Sequence, residues 1–121
     1  GRFSGGDEPG PLAWYDENSQ GQAHPVGTKA PNAWGFRDMS GNVWEWVWDW
    51  YDPAYGKPSG ATSDPTGPAG PTSADPGRVI RGGSFRNPAQ AVRVAHRNWK
   101  SPQSVGVGLG FRVARSSPSS L

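Results

Sequence analysis

Few side chains here are placed to do chemistry, and their spacing narrows what that chemistry could be. Asp16 and Glu17 could act as an acid/base pair. Adjacent residues of a strand face opposite ways, so a solvated turn is the simpler reading. His24 and His96 could ligate a transition metal, but no third ligand lies close to either in sequence, and both read as structural. The chain has no cysteine, which excludes disulfides, thiolate metal sites and cysteine nucleophiles together. It has no GxSxG elbow and no phosphate-binding loop ending in GK[ST]. Gly106, Gly108 and Gly110 are closely spaced, yet no helix follows them. Glu45 and Asp49 share one face of an extended segment and need partners there.

That segment organises the chain. Residues 41–51 read GNVWEWVWDWY, with Trp44, Trp46, Trp48 and Trp50 at a period of two. The pattern predicts a strand with all four indoles on one face. An indole buries about 200 Å², so four on one face are expected to anchor a core.

At 121 residues one domain over 1–121 is expected. Glycine and proline make up 31 residues, which points to long turn-rich loops, while seven tryptophans argue against disorder. No run of 18 apolar residues exists, so no membrane partner is expected. Residues 1–76 hold ten acids and four bases, net −6; residues 77–121 hold eight bases and no acid, net +8. A basic half can mean nucleic-acid binding. Its arginines alternate with Val, Phe and Gly at strand spacing, so pairing between the two halves is favoured and nucleic acid is the lesser reading.

Residues 1–13 are expected to be irregular. Residues 52–77 contain six prolines and five glycines and predict a long surface loop. RVIR at 78–81 reads as a strand ended by Gly82-Gly83, where a bulge or close backbone approach is expected. AVRVAHR at 91–97 and GFRVAR at 110–115 also alternate as strands do, and 101–108 reads as a loop. The tail at 116–121 is expected to fray. No helix is expected.

Five blocks agree in order and spacing: HPVG at 24–27, PNAWGFRDMSGNVWEW at 31–46, RVIRGGSF at 78–85, RVAHR at 93–97 and GFR at 110–112. Together they resemble the sulfatase-modifying, or formylglycine-generating, enzyme family over about residues 12–115. The resemblance implies a mainly β, loop-rich, C-type-lectin-like fold. It matches the C-terminal half of a family module, without the helical N-terminal part, and half a core implies self-association or pairing with such a segment.

The family's copper oxidases carry two cysteines shortly after the GGS block, because thiolates select Cu(I). Here that stretch reads RNPAQA at 86–91, so no copper and no formylglycine-generating activity are expected. Ser84 and Trp44 match active-site positions of the family, and an asparagine of that site falls at Gly108; without the thiols, Ser84 and Trp44 read as scaffold. The resemblance also places a calcium turn on Asp38, Gly41, Val43 and Glu45, with side-chain oxygens from the outer pair and backbone carbonyls from the inner pair. The competing reading pairs Glu45 with an arginine and makes Asp38 a turn cap.

The favoured function is a non-catalytic, lectin-like binding or scaffold module for a protein or carbohydrate ligand. Some relatives are retroelement-diversified binders whose varied positions match 84–110. That analogy makes Arg86, Asn87, Gln90, His96, Asn98, Trp99, Lys100, Gln103 and Ser104 the candidate contact surface. The alternatives are an oxidoreductase relative without the copper–thiolate site, and nucleic-acid binding through 78–115. The compartment is not fixed by the residues; an extracytoplasmic or secreted bacterial protein is the favoured expectation.

Overall fold

The computed structural model describes residues 1–55 and 65–117. The middle of the Pro/Gly-rich stretch and the last four residues lie outside these, along with part of the loop and tail expected there. The tryptophan segment is a strand, β1, Trp44–Trp50. It is followed by β2 (Arg78–Arg81), β3 (Arg97–Lys100) and the short β4 (Leu109–Gly110). These form one sheet in the order β3-β2-β1-β4. β2 runs antiparallel to β1 and to β3, and β4 runs parallel to β1.

The regular alternation of β1 does not survive pairing. Trp46 lies opposite Ile80, but Trp50 lies opposite Arg78, so β1 spends four residues where β2 spends two. The strand therefore bulges between them, and a bulge re-aims the side chains it carries. Trp44 is 9% exposed, Trp46 and Trp50 are half-buried, and Trp48 is 80% exposed. The expectation that four indoles together seat the core is corrected: Trp44 alone does so.

The rest of the core comes from elsewhere. Val79, Ile80 and Phe85 are buried on and after β2. Phe3, Leu12, Ala13, Tyr15 and Val92 form a second buried cluster. The N-terminal stretch is irregular, as expected, yet it supplies three of those side chains. Burying a side chain the size of Phe3 or Leu12 stabilises by about 1.5–3 kcal/mol, so the irregular stretch is part of the core.

Two strand expectations are also corrected. The alternation at 91–97 is not a strand: Ala89–Val92 forms one 3₁₀ turn, and β3 begins only at Arg97. The cause is at the paired glycines. Gly83 has φ +71°, and a Cβ there would come within 2.6 Å of Val92 Cγ1. The chain packs Val92 into that space, which fixes a turn where a strand would carry it away. The stretch at 110–115 pairs only through Gly110, leaving Phe111 and Val113 exposed. Its partner β1 goes out of register with β2 just after Trp46.

The acidic and basic halves meet in a single ion pair among the described residues, Glu45–Arg112. The other arginines go largely to carbonyls and rings, which corrects the expectation of pairing between charges. Arg81 Nη1 donates to Val94 O at 3.0 Å, Arg97 Nη1 to Tyr55 O at 3.0 Å and Arg93 Nε to Gln90 O at 2.9 Å. Arg78 donates to the Trp48 carbonyl, and its guanidinium lies 3.8 Å from the Trp50 ring centroid.

Candidate functional site

The turn after β2 builds one wall of a cleft. Ser84 is buried, and the buried Phe85 ring anchors the turn. The Ser84 N–H and Oγ–H both donate to Asn87 Oδ1, at 2.9 and 2.7 Å. The Asn87 N–H returns to Ser84 O at 3.0 Å, and Asn87 O accepts from the Asp16 N–H at 3.1 Å. This is a side-chain-closed turn of the kind serine and asparagine favour. The facing wall is the loop leading into β4. Gly108 O accepts from the Trp44 N–H at 2.8 Å, and the Leu109 N–H donates to Gly106 O at 3.1 Å.

Between these walls lies a cleft of about 480 Å³. Its apolar lining is Trp44, Ile80, Val105, Val107 and Leu109; its polar lining is Ser84, Arg86, Asn87, Lys100 and Ser104. The size falls within the usual range for small-ligand sites. Gly108 keeps it open: a Cβ there would lie 3.5 Å from both Ser84 Oγ and Cβ, and anything longer would project into the space.

The nine residues put forward for ligand contact divide. Arg86, Asn87, Lys100 and Ser104 converge on the cleft. Gln90 sits in the 3₁₀ turn, and its carbonyl holds Arg93. His96 lies on Trp44, ring centroids 5.7 Å apart. Burial lowers its pKa, and the neighbouring Arg93 lowers it further. Trp99 stacks with Tyr51 at 6.0 Å and closes over Gly77 on the other side of β3. Asn98 Oδ1 accepts from the Trp99 N–H, and Gln103 accepts from the Ser101 hydroxyl. None of these five lines the cleft. The apolar lining at Val105, Val107 and Leu109 is not among the candidate contacts; the glycines between them were the available signal.

Other candidates have structural partners. His24 stacks on Trp14 with centroids 3.7 Å apart, and its Nε2 lies 2.7 Å from Ser19 O. Tyr15 Oη donates to Glu17 at 3.0 Å, and both Asp16 and Glu17 are exposed. Burial and that hydrogen bond raise the Tyr15 pKa. No group of three or more His, Cys, Asp or Glu side chains is placed to hold a metal among the described residues.

Within the calcium set of Asp38, Gly41, Val43 and Glu45, both side-chain carboxylates already accept hydrogen bonds. Asp38 is buried with φ +57°, and its Oδ2 accepts from the Gly27 N–H at 2.6 Å. Both Glu45 oxygens accept from Arg112, from Nε and Nη2 at 3.0 Å each. That bond raises the Arg112 pKa, and Asp38 adds a smaller push the same way. A guanidinium thus lies against the Glu45 carboxylate that the calcium reading takes as a ligand.

One buried residue outside every candidate set ties the site together. Asn42 Oδ1 accepts from the His24 N–H at 2.9 Å, and its Nδ2 donates to His24 O at 3.1 Å. Its own N–H goes to Trp14 O, and its carbonyl takes the Phe85 N–H, each at 2.8 Å. Three segments are joined at the mouth of β1.

The model of the sulfatase-modifying factor enzyme 1-like domain matches residues 3–117. The chain belongs to the sulfatase-modifying factor family. It is 43% identical over 93 residues to the formylglycine-generating enzyme of Streptomyces coelicolor, covering 74% of this chain and 28% of that enzyme. Among solved structures, Treponema denticola variable protein 1 is similar with a TM-score of 0.77 at 37% identity, over 91% of this chain and 39% of that one. PvdO from Pseudomonas aeruginosa is similar with a TM-score of 0.73 at 32% identity, over 92% of this chain and 44% of that one. The chain spans less than half the length of each of these relatives. Its fold of strand and irregular loop is theirs, as the sequence resemblance implies.

Proposed function

We propose that this member of the sulfatase-modifying factor family is a non-catalytic recognition module whose ligand seats in the cleft between the 84–87 turn and the loop into β4. One observation carries the reading: four residues chosen as contacts from sequence converge on one cleft with an apolar floor. The chemistry beside them points the same way. The Ser84 hydroxyl spends its proton on Asn87, with no basic side chain bonded to it among the described residues. The segment at 86–91 holds no thiol.

The test uses Gly108→Phe, which fills the cleft from a wall that needs only the glycine's backbone carbonyl. Binders are selected with the full chain from a heptapeptide display library and a glycan array. Selected binders are expected to lose roughly tenfold or more in affinity for Gly108→Phe, with the melting temperature unchanged. Binders indifferent to the substitution would place recognition elsewhere. Oxygen consumption above background with a panel of thiol peptides and redox metals would favour the oxidoreductase reading instead.

Self-association belongs to the same proposal. Trp34, Phe36, Phe111 and Val113 are large apolar side chains left exposed, and such surface favours a partner. Sedimentation equilibrium of the full chain tests it; a monomer at all concentrations would remove it.

A further inference from the structure

We infer that the cleft selects an oxyanion (a carboxylate, sulfate or phosphate) carried on a small apolar or aromatic group. The inference rests on the recognition reading above and adds the chemical class of the ligand.

The cleft's polar lining is one-sided. Arg86 and Lys100 are its charged residues, and no aspartate or glutamate lines it. The one ion pair among the described residues is Glu45–Arg112, outside this lining, so neither cation has a carboxylate partner there. Arg86 Cζ stands 5.1 Å from the Phe85 ring centroid, which holds the guanidinium near the wall. A planar fork of donors suits an oxyanion's paired oxygens.

Asn87 adds a neutral donor whose orientation is fixed. A backbone N–H can only donate, so the Asn87 atom that receives the Ser84 N–H is the amide oxygen. The amide nitrogen is therefore turned the other way, and no acceptor takes its hydrogens among the described residues. The Ser84 hydroxyl, the natural competitor for an incoming donor, already gives its hydrogen to that same oxygen. The site thus offers ammonium, guanidinium and amide hydrogens, with Trp44, Ile80, Val105, Val107 and Leu109 to cover a hydrocarbon body. A cationic ligand would meet two like charges and no counter-charge. A neutral one would gain nothing from the two cations, which are exposed and would stay hydrated.

The experiment is an amide ¹H–¹⁵N titration of the full chain with phenyl phosphate, benzyl alcohol and benzylammonium, three probes with similar rings and different charge. Phenyl phosphate is expected to shift amides at 84–87 and 104–109 and to bind roughly tenfold or more tightly than benzyl alcohol. Benzylammonium is expected to leave them unmoved. Arg86→Ala with Lys100→Ala should weaken phenyl phosphate by a similar factor at an unchanged melting temperature. Arg115→Ala, which removes a cation outside the cleft, should not. Equal affinity for phosphate and alcohol, or a double variant that binds normally, overturns the oxyanion assignment and leaves cleft recognition standing. Shifts spread over the basic surface but absent from the cleft overturn both, as does the absence of any shift with all three probes.

Discussion

Four tryptophans at identical spacing are expected to cost very different amounts when removed, and the contrast tests the bulge in β1. Trp44 is 9% exposed and Trp48 is 80% exposed. An indole of about 200 Å² at 25 cal/mol/Å² gives about 5 kcal/mol for full burial, and measured core Trp→Ala changes run about 3–5 kcal/mol. Trp48 hides about a fifth of its surface, worth about 1 kcal/mol by the same conversion. Its guanidinium contact adds little, because Arg78 lies 5.2 Å from the Trp48 ring but 3.8 Å from that of Trp50. Trp48→Ala is therefore expected to cost about 1 kcal/mol or less.

The assay is urea unfolding followed by far-UV circular dichroism, comparing midpoints at constant slope. Native domains have only about 5–15 kcal/mol in hand, so Trp44→Ala removes a large share of it and Trp44→Phe gives the milder comparison. The reasoning fails if Trp48→Ala costs as much as Trp44→Phe. That result would mean β1 keeps its alternation through 48 and that the pairing of Trp50 with Arg78 is misplaced.

Further outcomes follow from single contacts. A double-mutant cycle on Glu45→Gln and Arg112→Ala should return a coupling of about 1–2 kcal/mol, above the usual surface pair because both oxygens are engaged; a value near zero would mean the pair is not formed. With Arg112 on Glu45, excess chelator should leave the melting temperature unchanged; a drop of several degrees would show calcium held at Asp38, Gly41, Val43 and Glu45. Gly83→Ala should destabilise by about 2 kcal/mol or more, because it meets both a positive φ and Val92; a wild-type melting curve would count against the packing of Val92. His96 has a depressed pKa in the folded chain, so between that value and the unfolded value of about 6.5 the unfolded state binds more protons. Stability should then fall on acidification below about 6.5 and level off under the folded pKa, a slope that His96→Gln should flatten.

What was legible in the sequence follows from where the determining contacts lie. The strand at 44–50 was legible because a period of two is local, and β2 because β-branched residues end at two glycines. The bulge was not, since it exists only relative to the register of β2. Val92 could not be placed either: the alternation around it is real, but the space that captures it is at Gly83, nine residues away. The core residues Phe3, Leu12 and Ala13 sit in a stretch with no period at all, where burial is decided by what folds over it. At the site, family spacing points to residues 86, 87, 100 and 104, which line the cleft. Family spacing also includes Trp99, but neighbours on a strand face opposite ways, so Lys100 takes the cleft side and Trp99 stacks on Tyr51. Asn42 left only a faint trace, a Ser-Gly-Asn turn before the tryptophans.

The charge division acquires a different meaning once the hydrogen bonds are followed. A chain with so little regular structure leaves many carbonyls without a ladder partner, and each is an acceptor a side chain can take. Arginine, with five donors and no acceptor, is the side chain best suited to reach them. Arg37, Arg78, Arg81, Arg93, Arg97 and Arg112 all donate to main-chain carbonyls. Five of those six belong to or follow β2, so much of the basic half serves as a substitute for secondary structure. Guanidiniums committed in this way are poorly placed to form a continuous stripe for a phosphate backbone, which weakens the nucleic-acid reading on geometry alone. Of the basic half, Arg86, Lys100 and Arg115 make no such bond among the described residues, and the first two line the cleft. The same count that makes the basic half architectural thus leaves three cations free of carbonyls, and two of the three meet at the cleft.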